Sequence, residues 1–575
     1  MKHGKRMINE KPQKRRLTPE EVAKKKKKIK RIFFIVLAIV LLLIIAYIAN
    51  DFIILDKNEK INLVINNNNI TANLKNDILI ENGTIYVSKP DIANFFDKYI
   101  YLDKENNQII TTYDKKIAII GFDDKSININ GSNKKIYAHA ENKNDVIYLP
   151  ISEMKDVYGI DINYIEDSKV ITIDSIAKEQ KKAMVAKDAA VKSSTGFISK
   201  TVDRIQNGGY VIVVSKTDNG WTKVRTKNGK VGYVKNDALT NEVTIRNNME
   251  EEKQIKGKVN LVWDYFSQYA SAPNRKEQIE GVNVVSPAFF YINRNGDFKE
   301  NVGNNGKQYI EWAHNNGYKV WAMVSNAYEI NMLETTSKIM NSYKNRQELI
   351  EKIVNACVEY KLDGINIDFE NMKKEDKDMF SRFIIELTPR LKEIGLVTSV
   401  DVTAPDGGET WSMCFDRHVI GNVADYIVFM AYDEYGSSGS KSGTTAGYNW
   451  IQTNLNKFLK TEEIESNKII LAVPFYTVLW TETSDGKVKG SVVNMKDVDK
   501  VLPSNVTKKW LDDLKQNYVE YEEKGATKKM WIEDLDSMKE RLTLITSNNL
   551  AGVAGWAKDR EDSRVWEVIK NVLNN

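Results

Sequence analysis

The residues best suited to chemistry lie on one short segment, Asp363–Glu370, which reads DGINIDFE. Successive side chains of a β-strand point to opposite faces, so Asn366, Asp368 and Glu370 share one face and the interleaved apolar residues share the other. Three polar groups are costly to bury without partners, and the alternation argues against solvated surface carboxylates. We therefore predict a catalytic strand with Glu370 at its open end. Asp363 has the opposite parity and is expected to be structural.

A strand of this kind needs a scaffold, and residues 258–575 predict a (β/α)8 barrel. Eight short apolar runs occur there, most of them separated by roughly 25–45 residues that contain amphipathic stretches. The predicted strands are Val259–Tyr265, Val282–Phe290, Lys319–Ser325, Asp363–Glu370, Val397–Thr403, Asp425–Tyr432, Lys468–Phe475 and Ala551–Trp556. Active sites of such barrels lie at the C-terminal ends of the strands, which is where Glu370 falls.

Two features between the strands support this architecture. Before the fourth strand, six apolar residues fall on one face of a predicted helix: Leu349, Ile350, Ile353, Ala356, Cys357 and Tyr360. The gap between the seventh and eighth strands is too long for a single helix. We expect an insertion around residues 480–530 that shapes one side of the cleft.

Several motifs make the barrel region resemble family 18 of the glycoside hydrolases, the chitinase-like enzymes. The pattern DGxNxDxE over residues 363–370 is similar to the signature of that family. The sequence MAYD over residues 430–433 and Trp556, at the ends of the sixth and eighth strands, reinforce the likeness. The family usually has Asp where this chain has Asn366. This substitution and Trp531, in the sequence WIED, resemble the spore-cortex and cell-wall N-acetylglucosaminidase branch.

The resemblance implies a substrate-assisted retaining mechanism. Glu370 would be the general acid, with its pKa raised by burial and by the neighbouring carboxylate. The acetamido oxygen of the substrate would be the nucleophile, with Asp368 holding the acetamido N–H and Tyr432 its oxygen. Asp433 would assist nearby, and Trp556 would lie beneath the sugar ring. Asn366 and Trp531 complete the expected substrate-binding set. The Asn at position 366 argues against a proton relay from Asp368 to a second carboxylate.

Charge and residue counts exclude several other functions. The net charge of +5 comes from the N-terminal 31 residues, which hold fourteen Lys and Arg against three Glu, so the rest of the chain is acidic. We therefore expect no nucleic-acid partner. The four histidines are scattered, and Cys357 and Cys414 are expected to be buried free thiols rather than a disulfide framework. No metal or organic cofactor is expected.

The segment Ile32–Ala49 predicts a membrane anchor. It is eighteen consecutive apolar or aromatic residues, about 27 Å long as a helix and close to the thickness of a bilayer core. Basic residues precede it and Asp51 follows, so residues 1–31 are expected in the cytoplasm and the remainder outside. A cleaved signal peptide is the alternative, but the segment is long for one and lacks a good cleavage site.

Two small β-rich domains are predicted between the anchor and the barrel. Residues 60–175 contain a weak repeat and resemble the domain named after the N-terminal region of copper amine oxidases, with no copper implied. Residues 186–242 resemble bacterial Src-homology-3-like domains, with hairpin signals at Asn219-Gly220 and Asn228-Gly229. Trp221 and Tyr233 suit either ligand binding or the core of such a domain. The first domain is expected to be a spacer or a wall-binding module, and the cell wall is the expected partner of these small domains.

These features together favour an extracytoplasmic hydrolase that cleaves peptidoglycan after N-acetylglucosamine. Chitin, or another glycan that contains N-acetylglucosamine, is the alternative substrate. A catalytically silent glycan-binding protein and a scaffold of the wall machinery are alternatives of another class. The presence of Glu370 argues against the silent protein.

Overall fold

The computed structural model describes residues 18–52, 60–196, 199–249, 254–267 and 270–573. Its internal contacts divide the chain into two compact units. One contains residues 1–88 and 159–250, and the other contains residues 89–158 and 251–575. The segment predicted as one domain over residues 60–175 therefore contributes to both units.

The first unit begins with a long apolar helix, Pro19–Phe52, in which the predicted anchor lies. Its apolar side chains are exposed, with 62% of Phe33 and 65% of Leu42 accessible. The length and composition over Pro19–Ala46 suit a membrane-crossing helix and equally a signal sequence.

The other described elements of the first unit are mainly β-strands. A seven-stranded antiparallel sheet contains Gln180–Val185, Ala189–Lys192, Thr201–Ile205, Tyr210–Lys216, Trp221–Thr226, Val231–Lys235 and Leu239–Arg246. A second sheet contains Asn62–Ile65, Asn68–Asn69, Ile160–Ile165 and Val170–Ser175, and a hairpin contains Leu79–Glu81 and Thr84–Ser88. Trp221 is half-buried, with the Lys235 ammonium 5.9 Å from its ring centre.

The second unit contains a small β-rich part that packs on the barrel. Its elements are the helices Lys89–Phe95 and Lys155–Tyr158, the sheet of Tyr101–Asp103, Gln108–Tyr113, Lys116–Gly121, Ser126–Ile129 and Ser132–Lys135, and the hairpin of Glu141–Lys143 and Val146–Pro150. The buried guanidinium of Arg382 donates to the carbonyl of Tyr99 at 2.6 Å and lies 4.7 Å from the ring centre of Tyr101. This part of the chain is thus fixed to a barrel helix.

The barrel itself is closed and parallel, as the sequence predicts. Its strands are β1 (Val259–Asp264), β2 (Val284–Pro287), β3 (Lys319–Ser325), β4 (Gly364–Asp368), β5 (Val397–Val402), β6 (Tyr426–Met430), β7 (Ile469–Pro474) and β8 (Gly552–Trp556). β8 pairs with β1 and β2 pairs with β3, which completes the ring. All eight predicted strands are present, each within a few residues of its predicted ends.

Helices surround the barrel, and apolar side chains fill the space between them and the strands. The helices are α1 (Gly306–Asn315), α2 (Leu333–Asn341), α3 (Tyr343–Tyr360), α4 (Lys377–Glu393), α5 (Arg417–Val423), α6 (Tyr448–Lys460), α7 (Leu535–Ser547) and α8 (Val565–Leu573). Ile365, Ile367 and Phe369 belong to this outer core, as do the buried residues of α3. The alternation predicted for β4 is therefore confirmed.

The expected insertion is a five-stranded antiparallel sheet between β7 and α7. It contains Tyr476–Thr483, Val488–Asn494, Lys509–Leu511, Gln516–Glu523 and Ala526–Ile532, with a short helix at Val498–Val501. A further hairpin, Phe290–Ile292 with Phe298–Glu300, follows β2.

Candidate active site

The residue at the base of the catalytic segment, Asp363, is structural. It accepts hydrogen bonds from Lys319 Nζ and from a His314 ring nitrogen, each at 2.8 Å, and from the backbone N–H of Val320 at 3.0 Å. These contacts tie the start of β4 to the start of β3. The opposite parity of Asp363 in the sequence predicts this outcome.

Asn366 lies inside the barrel, fully buried, and all of its amide hydrogen-bonding capacity is used. Its Oδ1 accepts from the indole N–H of Trp263 at 2.8 Å and from Ser286 Oγ at 3.4 Å. Its Nδ2 donates to Ser399 Oγ at 3.1 Å and to Asp401 Oδ1 at 2.7 Å. Because an indole N–H can only donate, the bond from Trp263 fixes which way the amide points.

Asp368 and Glu370 lie above Asn366 and share a hydrogen bond. Burial raises the pKa of Asp368 to about 6, against the opposing effect of hydrogen bonds with Ser325 and Glu370. Burial raises the pKa of Glu370 well above its usual range, and the charge of Asp368 and the hydrogen bond to it add to this shift. Glu370 is partly exposed at the open end. The pair can hold an ionised Asp368 beneath a protonated Glu370, which is the state a general acid requires.

The backbone of Glu370 is held by a buried side chain from the end of β3. Asn326 Oδ1 accepts from the Glu370 N–H at 2.7 Å, and Asn326 Nδ2 donates to the Glu370 carbonyl at 3.0 Å. The same Nδ2 donates to Thr336 Oγ1 on α2 at 3.1 Å. β4 ends at Asp368, before Glu370. The Asn326 amide therefore forms the hydrogen bonds with the Glu370 backbone that a neighbouring strand would otherwise form.

The segment after β6 brings two further predicted residues to the carboxyl pair. Burial and then the neighbouring Tyr476 raise the pKa of Tyr432 well above its usual range, and the charges of Glu370 and Asp368 add to the shift. The Tyr432 hydroxyl therefore remains a hydrogen-bond donor at neutral pH. The Tyr476 hydroxyl donates to Asp433 Oδ1 at 2.5 Å, and burial raises the pKa of Asp433.

Trp556 begins an aromatic surface that extends from the barrel interior to the rim. Its ring lies 5.6 Å from that of Trp263, which donates to Asn366, and 5.6 Å from that of Tyr265. Tyr265 is 46% exposed and stacks on Tyr328 at 5.7 Å. Flat apolar rings beside buried carboxyl groups suit a ligand with one apolar face and several hydroxyl groups.

Trp531 lies in the inserted sheet, where its ring packs on Tyr518 at 4.9 Å. Within the described residues, no hydrogen bond or ring contact joins Trp531 to the carboxyl pair. The residues that follow it in the motif are structural. Glu533 is fully buried and forms an ion pair with Arg541, and Asp534 caps α7. Substrate binding by Trp531 stays a prediction.

The contacting residues that are absent from the sequence prediction include Asp401, Asn326 and Tyr476. Each comes from a different strand or insertion and meets β4 or Asp433 only in the folded chain. One signal was available for Asp401, which lies on the interior face of β5 in the alternating run VTSVDV. Asn326 and Tyr476 follow the ends of predicted strands, where functional groups of a barrel concentrate.

The thiols and the acids offer no metal centre in the part of the chain that the structure describes. No group of three or more His, Cys, Asp or Glu side chains is arranged there to hold an ion. Cys357 and Cys414 are free and buried, as predicted. Burial raises the pKa of the Cys414 thiol to about 11, which keeps it unreactive at neutral pH.

Comparison with protein families gives three matches along the chain. Residues 261–561, just over half of the chain, match the family described as "Glycosyl hydrolases family 18". Residues 64–173 match "Copper amine oxidase N-terminal domain" and residues 187–240 match "Bacterial SH3 domain".

Individual relatives are distant and include wall-lytic proteins and chitinases. The chain is 25% identical to the uncharacterized glycosylase YvbX of Bacillus subtilis, over 50% of this chain and 84% of that protein. It is 22% identical to the cortical fragment-lytic enzyme of the same organism, over 41% of this chain and only 56% of that enzyme. Among solved structures, the spore cortex-lytic enzyme SleL of Bacillus megaterium has a TM-score of 0.47 and 21% identity, covering 58% of this chain and 78% of that one.

Proposed function

Because this chain belongs to family 18 of the glycosyl hydrolases, we propose that it cleaves β-1,4 bonds after N-acetylglucosamine in peptidoglycan by substrate-assisted, retaining catalysis. Glu370 is the general acid in this proposal, and it later activates the water that releases the product. No metal or organic cofactor takes part.

The hydrogen-bonded Asp368–Glu370 pair is the observation that carries the proposal. Retaining enzymes with two carboxylates place them on opposite sides of the scissile bond, about 5–5.5 Å apart. Here Asp368 lies on the same strand as Glu370 and is engaged with it. Because Asp368 lies below Glu370 on the same strand, its carboxylate is poorly placed to attack the sugar. This placement supports the acetamido oxygen of the substrate as the nucleophile.

The surrounding groups then have complementary tasks. Ionised Asp368 accepts the acetamido N–H and stabilises the positive charge that develops as the oxazolinium ion forms. The neutral hydroxyl of Tyr432 donates to the acetamido oxygen, with Asp433 held nearby by Tyr476. Trp556 lies beneath the sugar ring, and Asn366 keeps the base of the site in place.

Peptidoglycan is proposed as the substrate because several separate features favour it. The domains proposed over residues 60–175 and 186–242 precede the proposed catalytic domain over residues 258–575, and the second of them matches the bacterial SH3 domain. The apolar helix can anchor the enzyme at the membrane, with residues 1–31 in the cytoplasm, residues 32–49 in the bilayer and the barrel facing the wall. The relatives include a cortical fragment-lytic enzyme.

Chitin is the second candidate substrate. The chain is 24% identical to endochitinase 1 of Metarhizium anisopliae, over 38% of this chain and 57% of that enzyme. Both polymers present N-acetylglucosamine at the cleaved bond, so the same residues would act on either. A silent glycan-binding protein or a scaffold of the wall machinery would bind the wall without products.

The test is digestion of purified sacculi and of chitin oligomers by the full chain in detergent, with products identified by mass spectrometry. Fragments that end in reducing N-acetylglucosamine are expected from sacculi, and Glu370→Gln should release them at least about 100-fold more slowly. Cleavage of chitin alone would move the substrate to that polymer. Retained wall binding with no products from either would contradict an enzymatic function.

A further inference from the structure

A third carboxyl group, Asp401, lies beside the catalytic pair inside the barrel. In the pairing of β4 with β5, Asn366 is opposite Ser399 and Ile367 is opposite Val400. The next residues on the two strands, Asp368 and Asp401, are therefore neighbours on the interior face, with Cα atoms about 4.8 Å apart. Asp401 is only 2% exposed.

Asp401 accepts a hydrogen bond, whereas Glu370 donates one. Asp401 accepts from the amide of Asn366 at 2.7 Å, and the indole of Trp263 fixes that amide in the donating orientation. An N–H donor stabilises the ionised form of a carboxyl group. Glu370 instead donates to a carboxylate, Asp368, and this bond stabilises its protonated form. The geometry therefore orders the two acids, with Asp401 losing its proton before Glu370.

The groups that face Asp401 are mostly acids. Asp368 and Glu370 approach from β4, and the hydroxyl of Tyr432 approaches from the segment after β6. Asp433 lies next to Tyr432, and its charge contributes to the raised pKa of Glu370. Burial and then the charge of Asp368 raise the pKa of Asp401 well above its usual range, so Asp368 ionises first.

We propose that Asp401 is a positioning residue of this site: it gives up its proton before Glu370 does, and its charge then keeps the proton on Glu370. The inference rests on the proposed role of Glu370 as general acid. When solvent takes the Asp401 proton, the acid gains a second negative neighbour and keeps its own proton to higher pH. Asp401 would thus extend the alkaline range over which the acid can act.

The test is the pH dependence of kcat/KM for Asp401→Asn, measured with the full chain in detergent on glycan strands freed of stem peptides. The amide keeps the shape of the side chain and removes its charge. We expect the alkaline limb to move to lower pH by about one unit, while the acid limb, which belongs to Asp368, stays in place. KM should be unchanged, because Asp401 is buried and is not among the proposed sugar-binding residues.

Two variants separate this effect from a loss of packing. Ser399→Ala removes another buried hydrogen bond of Asn366 without changing any charge, so it should leave both limbs where they are. The exchange Asn366→Asp with Asp401→Asn returns one carboxyl group to the same hydrogen-bonded pair. It should move the alkaline limb back toward that of the natural enzyme.

Each outcome has a distinct meaning. An Asp401→Asn profile that superimposes on the natural one overturns the proposal, as does an alkaline limb that moves equally in Ser399→Ala. A shift of the acid limb instead would mean that Asp401 is already ionised in the resting enzyme, which also overturns it. If Glu370→Gln turns over the same strands as fast as the natural enzyme, the proposed acid itself is wrong, and this result does not depend on any Asp401 variant.

Discussion

The barrel and its insertion bury acids in several places, and two of these places neutralise their acids in opposite ways. Next to the inserted sheet, Glu533 accepts hydrogen bonds from Gln516 at 2.6 Å and from Arg541, so a cation balances its charge. Inside the barrel, Asp368 and Glu370 share a hydrogen bond, for which one of the two carboxyl groups must keep its proton. A buried acid paired with arginine holds the fold together, whereas a buried acid paired with another acid holds a proton that can be transferred.

The largest effect on activity is expected from Glu370→Gln. Loss of the transferable proton should lower kcat/KM on glycan strands about 10²–10⁴-fold. Because an acid that is costly to bury is replaced by a neutral amide, the melting temperature should stay the same or rise. Turnover and calorimetry on the same preparation check both parts. A marked fall in melting temperature would place Glu370 with the structural acids.

The opposite outcome is expected for Glu533→Gln. This change leaves the Arg541 guanidinium buried without its carboxylate, and it should lower the free energy of unfolding by about 3–5 kcal/mol. Activity per folded molecule should be unchanged. Denaturant unfolding followed by tryptophan fluorescence measures the loss. Adding Arg541→Met should recover part of the lost stability. A loss of turnover without a loss of stability in Glu533→Gln would contradict a purely structural role for Glu533.

Asn326→Ala should have an intermediate effect that falls on kcat. Without the amide, the backbone of Glu370 loses two hydrogen bonds and the acid is less well placed. A misplacement of this kind should lower kcat about 10–100-fold with little change in KM. The matched control is Thr336→Val, which removes only the third bond of the amide. Equal loss of kcat in both variants would mean that the backbone clamp has no special role.

The smallest expected effect is a change of rate with pH. Since the pKa of Asp368 is raised to about 6 and its ionised form is required, activity should fall as pH drops through this value. Stability should change in the other direction. The folded protein holds the Asp368 proton more tightly than the unfolded chain does. Protonation of Asp368 therefore contributes fully to the free energy of unfolding at pH below about 4, and this contribution is lost as pH rises through about 6.

Asp368→Asn is the control for this pH dependence, because the amide cannot titrate. On acidification, the natural protein should gain stability relative to this variant. Calorimetry at several pH values measures it. A natural protein that becomes relatively less stable than the variant on acidification would contradict the raised pKa.

Sequence patterning predicted what depends on local order. The alternation from Ile365 to Glu370 predicted both faces of β4, and the spacing of apolar runs predicted all eight strands. The insertion after β7 followed from chain length alone. These features need no knowledge of which distant residues meet, because strand parity and helix period are local properties.

The contacts that tune the site could not be predicted in the same way. Asp401 meets Asn366 only through the register of β4 and β5, and Asn326 meets Glu370 only because β3 and β4 are neighbours. The docking of residues 89–158 through Arg382 is of the same kind. That arginine lies mid-helix in α4, and its burial follows from the β-rich part that covers it rather than from its own surroundings in the sequence.

In the proposed reaction the N-acetyl group of the substrate supplies the nucleophile, and a paired digestion shows whether that group is needed. Glycan strands with N-acetylglucosamine and the same strands after chemical de-N-acetylation of that sugar are incubated with the full chain, and the products are identified by mass spectrometry. Cleavage of the acetylated strands alone is the predicted result. Equal cleavage of the de-N-acetylated strands would contradict it and would require a nucleophile from the protein.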